Sequence, residues 1–194
     1  MADYEVIASG SVDASAPVTI NITSIPGTFK HLLFSLNSAS TRNSGGYEDL
    51  LVMRFNGDTG SNYNRARQYK YDFSSGAGTQ ARTEGSSMGV AFVVMPTRWV
   101  GQSTKSFSHT NICIPAYSGA VLTKGVLVDN LNPYNYNFPT TGTESGIYQY
   151  IGVGGWDNTA AITSIQISTY EGLVNGTAGW GFAVNTSYVL SGLA

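Results

Sequence analysis

His31 and His109 are the two side chains suited to move protons near neutral pH. A hydrolytic triad would need one of them in hydrogen-bond reach of a nucleophile and a carboxylate. No Gly-x-Ser-x-Gly elbow occurs. His31 falls in an apolar stretch and His109 among Ser and Thr, so both read as structural or surface histidines. Metal chemistry has little to work with, since there is no His-Glu-x-x-His, no EF-hand loop, and a single cysteine, Cys113. Asn56, Asp58 and Asn62 carry oxygens that a hard cation such as calcium accepts. Short Asn and Asp side chains at this spacing also bond to their own loop, and that is the expected role. Glu48, Asp49, Asp129, Glu144 and Asp157 would serve glycoside hydrolysis only if the fold set two of them at the right separation; they are expected to be solvated or turn residues. Gly152-Val153-Gly154-Gly155 has neither the spacing of a phosphate loop nor a following helix. No catalytic residue, cofactor or metal site is therefore expected, and the chain reads as a non-enzyme.

Aromatic side chains are the better binding candidates. Tyr134, Tyr136 and Phe138 alternate within an Asn-rich segment, and Trp156 and Trp180 lie further on. Aromatics on a weakly charged surface suit a protein interface or a sugar platform, or they cover the ends of a sandwich.

The composition supports a contact role. Charged residues make up 11% of the 194-residue chain, while hydrophobic content is 42%, so the low charge does not signal disorder. Net charge is −2, and the densest basic cluster is Arg65, Arg67 and Lys70, too small a footprint for nucleic acid. No apolar run reaches the roughly 18 residues of a membrane span. The acidic start Met1-Ala2-Asp3-Tyr4-Glu5 lacks the apolar core of a secretory signal. One cysteine allows no intrachain disulfide, which fits synthesis in a reducing cytoplasm. The Asn-x-Ser/Thr triplets at Asn21, Asn175 and Asn185 are what such a composition produces by chance.

The elements that must position these residues are strands. Val18, Ile20 and Ile22 alternate with polar residues; Leu32, Phe34 and Leu36 share one face, opposite His31, Leu33 and Ser35; Leu51, Met53 and Phe55 share another. Residues 88–95 are nearly all apolar, a strand buried on both faces, and Pro96 ends it. Ile162, Ile165 and Ile167 mark a late strand. Asn56-Gly57 predicts a type I′ turn, and Ile25-Pro26-Gly27-Thr28 a type II turn with Gly27 at positive φ. Residues 74–87 read as a long loop or flexible arm, and residues 132–139 as an aromatic loop. No stretch shows capped helical periodicity. Together these predict a single all-β domain over residues 1–194: a jelly-roll-like sandwich of roughly eight to ten antiparallel strands.

Ser24-Ile25-Pro26-Gly27-Thr28-Phe29-Lys30-His31-Leu32, followed by Arg54-Phe55-Asn56-Gly57-Asp58-Thr59-Gly60-Ser61-Asn62-Tyr63, resembles a pattern found in tailed-phage virion proteins. The resemblance continues less sharply through Ile162–Ile167 and Tyr188–Gly192, where Leu190-Ser191-Gly192 lacks the pattern's tyrosine. It implies a β-sandwich displayed on a virion, assembled after synthesis in the host cytoplasm. Its expected role is a head decoration (cement) protein, with the major capsid protein or other virion proteins as partners and a homotrimer as the favoured assembly. The alternative is a tail or fibre protein that stacks host glycan on the aromatics named above. The family carries no catalytic residues to transfer, and neither nucleic acid nor membrane is an expected partner.

Overall fold

The computed structural model describes residues 4–13, 17–42, 48–73, 76–87, 90–96, 107–138, 142–174 and 180–194; at 48, 69, 71–73, 76, 80–87, 90–96, 133–138, 142–146, 148 and 174 it describes the backbone alone. In chain order the elements are β1 (Tyr4–Ser11), β2 (Thr19–Ile22), β3 (His31–Ser38), β4 (Glu48–Phe55), β5 (Tyr63–Phe73), β6 (Gly76–Ser87), β7 (Val90–Pro96), β8 (Ser108–Pro115), β9 (Lys124–Phe138), β10 (Gly142–Trp156), β11 (Ile165–Thr169), α1 (Tyr170–Val174) and β12 (Ser187–Leu193). Every strand pairing is antiparallel.

The strands form a large sheet in the order β1-β12-β3-β8-β9-β10-β5-β6 and a small one in the order β2-β11-β4-β7. The small sheet has the interleaved order of one jelly-roll sheet. The large sheet holds the complementary order, β3, then one strand position, then β5 and β6, but that single position is filled by the meander β8-β9-β10. Two extra strands widen the sheet there by roughly 10 Å. A further pair, β1 and β12, extends its other side. The expectation of an all-β jelly-roll-like sandwich holds, and these additions bring the described strands to twelve.

Period-two alternation decides which side chains fill the space between the sheets. Leu32, Phe34 and Leu36 of β3, Ile112 and Ile114 of β8, Val126 and Val128 of β9 and Leu190 of β12 point inward from the large sheet. Ile20 and Ile22 of β2, Ile165 and Ile167 of β11, and Leu51, Met53 and Phe55 of β4 meet them from the small one. β4 is buried on both faces, since Val52 and Arg54 are also enclosed.

Four local expectations change. Residues 76–87 form strand β6 rather than a loop. Gly and Ser have weak strand preference, but β5 supplies a continuous template of backbone partners from Arg65 to Phe73, with a register shift between Tyr63 and Arg65. Residues 132–138 belong to β9 rather than to a loop. They pair with β10, and β8 pairs with β9 only over Leu127–Leu131, so Pro133 occupies a one-sided stretch of strand where a missing N–H is tolerated. That stretch runs on the order of 20 Å past the end of the β8 pairing. The turn after Ile25 is centred on Gly27 and Thr28, and the positive φ falls at Ser24 (58°), not at Gly27. A single helical turn, α1, follows β11. The expectation of burial on both faces for residues 88–95 concerns side chains outside the described residues, although β7 is a strand ending at Pro96 as expected.

One close approach on β12 is testable. A Cβ on Gly192 would lie 2.3 Å from ring atoms of Phe29, including the Cγ that the ring cannot swing away. Gly192→Ala is expected to destabilise the fold by about 2 kcal/mol, read as a lowered urea midpoint with an unchanged slope.

Candidate functional site

The loop from Arg54 to Tyr63 is densely hydrogen-bonded, and its side chains bond across to the segment before β11 and to Trp156. Asn56 and Gly57 both take positive φ (51° and 69°), and the Asp58 N–H donates to the Phe55 carbonyl at 2.9 Å, which closes the expected type I′ turn. The Asn56 amide then reaches the segment before β11: its Nδ2 donates to Ala161 O at 2.7 Å, and its Oδ1 accepts from Thr163 N at 2.8 Å and Ser164 N at 3.1 Å. Asp58 Oδ2 accepts from Trp156 Nε1 at 2.7 Å and Asn62 Nδ2 at 2.9 Å, and Oδ1 accepts from Gly60 N at 2.8 Å. The bonds from Asn62 and Trp156 hold the Asp58 carboxyl below the usual carboxylate range. Tyr63 Oη accepts from Phe55 N and donates to Asp58 O, both at 3.1 Å, while burial pushes its pKa up to about 12. Tyr63, Trp156 and Phe55 pack with ring centroids 5.7–6.4 Å apart. A carboxylate accepting three donors is already satisfied, so Asp58 and Asn62 act as loop staples, as the sequence suggested.

The other chemistry-bearing side chains are likewise engaged. Asp49 is buried; its Oδ2 accepts from Ser40 Oγ at 2.7 Å, and its Oδ1 from Leu50 N at 2.8 Å and Glu171 N at 3.2 Å, which ties β4 to the first turn of α1. Burial, only partly offset by these bonds, raises the Asp49 pKa. His31 Nδ1 accepts from Ala116 N at 3.3 Å. His109 lies in a surface chain. Ser35 Oγ donates to Asn111 Oδ1 at 2.8 Å, Asn111 Nδ2 stands 3.2 Å from His109 Nε2, and His109 Nδ1 stands 2.8 Å from Asn37 Oδ1. The neutral tautomer with the proton on Nδ1 satisfies every member. Lys124 is buried with its ammonium on the carbonyls of Gly119, Leu122 and Thr159 at 2.6–3.1 Å. Asp129 lies on the outward face of β9 and Asp157 just after β10, far in the chain order of elements from Asp49 on β4. Among the described residues no group of three or more His, Cys, Asp or Glu is arranged to hold a metal, and no helix is long and apolar enough to cross a membrane.

Of the aromatic candidates, Trp156 is 1% exposed and offers no ring face to a sugar; the Asp58 bond and the Phe55–Tyr63 packing hold it inside. Trp180 is half-buried, with the Arg42 guanidinium 5.3 Å above its ring and Arg42 in turn 3.1 Å from Glu171. One face of the Trp180 ring is thus occupied by a cation. Tyr134, Tyr136 and Phe138 lie on β9, and their side chains are outside the described residues.

The outward face of the large sheet carries a feature the sequence reading missed. Across β3 and β8 this face carries the polar row Ser35, Asn37, His109 and Asn111, beside the partly buried pair Leu33 and Cys113. Across β9 and β10 it is mainly aliphatic: Leu127, Leu131, Ile147, Ile151 and Val153 are each 49–54% exposed, with Asp129 and Gln149 exposed among them. The register pairs Leu127 with Val153, and sets Ile151 opposite Asp129 on one side and Gln68 on the other. Lys70 of β5 is exposed and pairs with Gln149. The available signal was the odd-numbered spacing of Ile147, Ile151 and Val153, masked by apolar residues at intervening positions such as Val126, Val128 and Tyr150. No protein-family model, curated protein or solved structure matches the chain.

Asn56→Ala removes four side-chain hydrogen bonds from the junction and leaves a positive φ without its preferred residue; a loss of about 2 kcal/mol in chemical denaturation is expected. The two bonded aspartates should respond oppositely to pH. The lowered pKa of Asp58 gives stability that is full above 3.8 and is lost as pH falls below it, so the deficit of Asp58→Asn should shrink on acidification through that range. Asp49 has a raised pKa, so its ionisation costs stability as pH rises from 3.8 through its folded value; Asp49→Asn should gain on wild type over that interval. Urea midpoints between pH 2 and 8 measure both, and parallel pH profiles for the two variants would refute the assignment.

Proposed function

We propose that this protein is a non-enzymatic structural component of a tailed-phage virion, seated on the head as a decoration protein that binds neighbouring copies of the major capsid protein. The sequence resemblance over Ser24–Leu32 and Arg54–Tyr63 supplies the virion context, and its residues build the junction that holds the sandwich together. The observation that carries a binding role is the edge strand β1. Among the described residues it pairs only with β12, and it presents Tyr4 and Val6 at 63% and 62% exposure. An open edge accepts a strand from another chain; on β1 it is only partly blunted, by Glu5 and by the register shift between Val6 and Ala8. Strand addition to a capsid subunit would give main-chain hydrogen bonds, with Tyr4 and Val6 adding apolar contact. Many weak contacts of this kind around a symmetric shell reinforce one another.

Two measurements test the reading. Quantitative mass spectrometry of purified particles should find copies on the order of hundreds, as a symmetric head coat requires; a few to some tens would move the protein to the tail and overturn the head assignment. Val6→Lys, at an exposed edge position, should fold normally yet bind empty capsids at least about tenfold more weakly. Unchanged capsid binding would exclude the β1 edge.

A further inference from the structure

We infer that the aliphatic half of the large sheet's outward face is a self-association surface, on which two copies of this chain pack face to face about a two-fold axis running along β10. The inference does not rest on the virion reading, because purified protein alone displays it.

The first argument is the contrast within one face. A sheet face left to water normally carries polar side chains, as β3 and β8 do here with the row Ser35, Asn37, His109 and Asn111, where the neighbouring Leu33 and Cys113 are partly buried. β9 and β10 of the same sheet instead expose five aliphatic side chains, with Leu127 paired to Val153 and with Asp129 and Gln149 set among them on the same face. Half-exposed, each leaves roughly 80 Å² in water, so the stripe amounts to on the order of 400 Å². A standard interface buries about 800 Å² per partner, a little over half of it apolar. The stripe therefore supplies about the apolar share of one side of an ordinary protein interface, with polar neighbours such as Asp129 and Gln149 to make up the rest.

The second argument is charge placement, which selects a second copy as the occupant. β10 runs down the middle of the stripe, with β9 on one side and β5 on the other. Asp129 stands exposed on β9 at the level of Ile151; Lys70 stands exposed on β5 at the level of Gln149, one outward position along. A two-fold axis along β10 lays β9 of one copy over β5 of the other. Ile151 and Val153 then meet their own counterparts, and Asp129 faces the Gln68–Lys70 stretch of the second copy. Symmetry repeats that pairing, so a single face supplies both partners of each ion pair, as an isologous contact requires. Sheets packed about 10 Å apart bring an aspartate and the long lysine side chain within reach. This two-fold arrangement departs from the trimer expected on resemblance.

Sedimentation velocity of the full chain over about 1–100 µM should show a monomer–dimer equilibrium. Ile151→Asp should weaken it at least about tenfold while near-ultraviolet circular dichroism and melting temperature stay at wild-type values. Asp129→Lys alone should weaken dimerisation by opposing like charges, and adding Lys70→Asp should restore it. This reversal leaves every aliphatic side chain in place, so the test does not depend on Ile151→Asp folding. A monomer across the whole range, an oligomer indifferent to Ile151→Asp, a trimer, or failure of the double reversal to restore association would each overturn the inference.

Discussion

The structure depends on a short polar junction at one end of the sandwich. β4 belongs to the small sheet and β5 to the large one, so the chain must cross between them within the turn and loop from Asn56 to Asn62. β10 and β11 cross in the opposite sense through residues 157–164. Asn56 and Asp58 tie the two crossings together, one through the backbone at 161–164 and the other through the Trp156 indole. Apart from the Trp156 indole and the Tyr63 and Thr163 hydroxyls, the bonded groups here are short-chain amides, a carboxylate or main chain, which lose little conformational entropy on ordering. The aromatic trio Phe55, Tyr63 and Trp156 packs together beside this junction, and the Trp156 indole and the Tyr63 hydroxyl bond to Asp58 from it.

From that junction follows the shape of the large sheet. Tyr63 begins β5 and Trp156 ends β10, and the two are register partners. Fixing this pair sets the alignment of both long strands over eleven consecutive residue pairs, and β6 and β9 inherit their register from them. The meander in place of one jelly-roll strand makes this sheet wider than its partner. Part of its outward face thus consists of long strands with apolar residues on both sides, a pattern normally seen where both faces are covered.

The polar chemistry of the molecule is used locally. His31, His109, Asp49, Asp58 and Lys124 each bond to neighbouring backbone or side chains, while the exposed large apolar side chains among the described residues lie on β1, on the β9–β10 face, at Val121 and Leu122 in the turn before β9, and at Val184 and Val189. That distribution favours a protein that works through contact surfaces, and it is the common ground of the decoration role and the self-association face proposed above.

The sequence by itself determined the fold class, the inward faces of β3 and β4, and the Asn56-Gly57 turn, because each is encoded locally: period-two alternation selects a face, and two successive positive φ angles select Asn-Gly. It also placed Asp58 and Asn62 correctly as staples, since an Asx side chain bonds within a few residues of itself. What only the tertiary structure decided was non-local. Whether residues 76–87 form a strand depends on β5 as a template. Whether Pro133 interrupts a strand depends on where β8 stops pairing. Trp156 had the composition of a binding residue, but an aspartate 98 positions away in the chain draws it into the core. The outward stripe was hidden for the same reason: along β9 and β10 both faces are apolar, so alternation carries no sign, and only the position of the second sheet decides which face meets water.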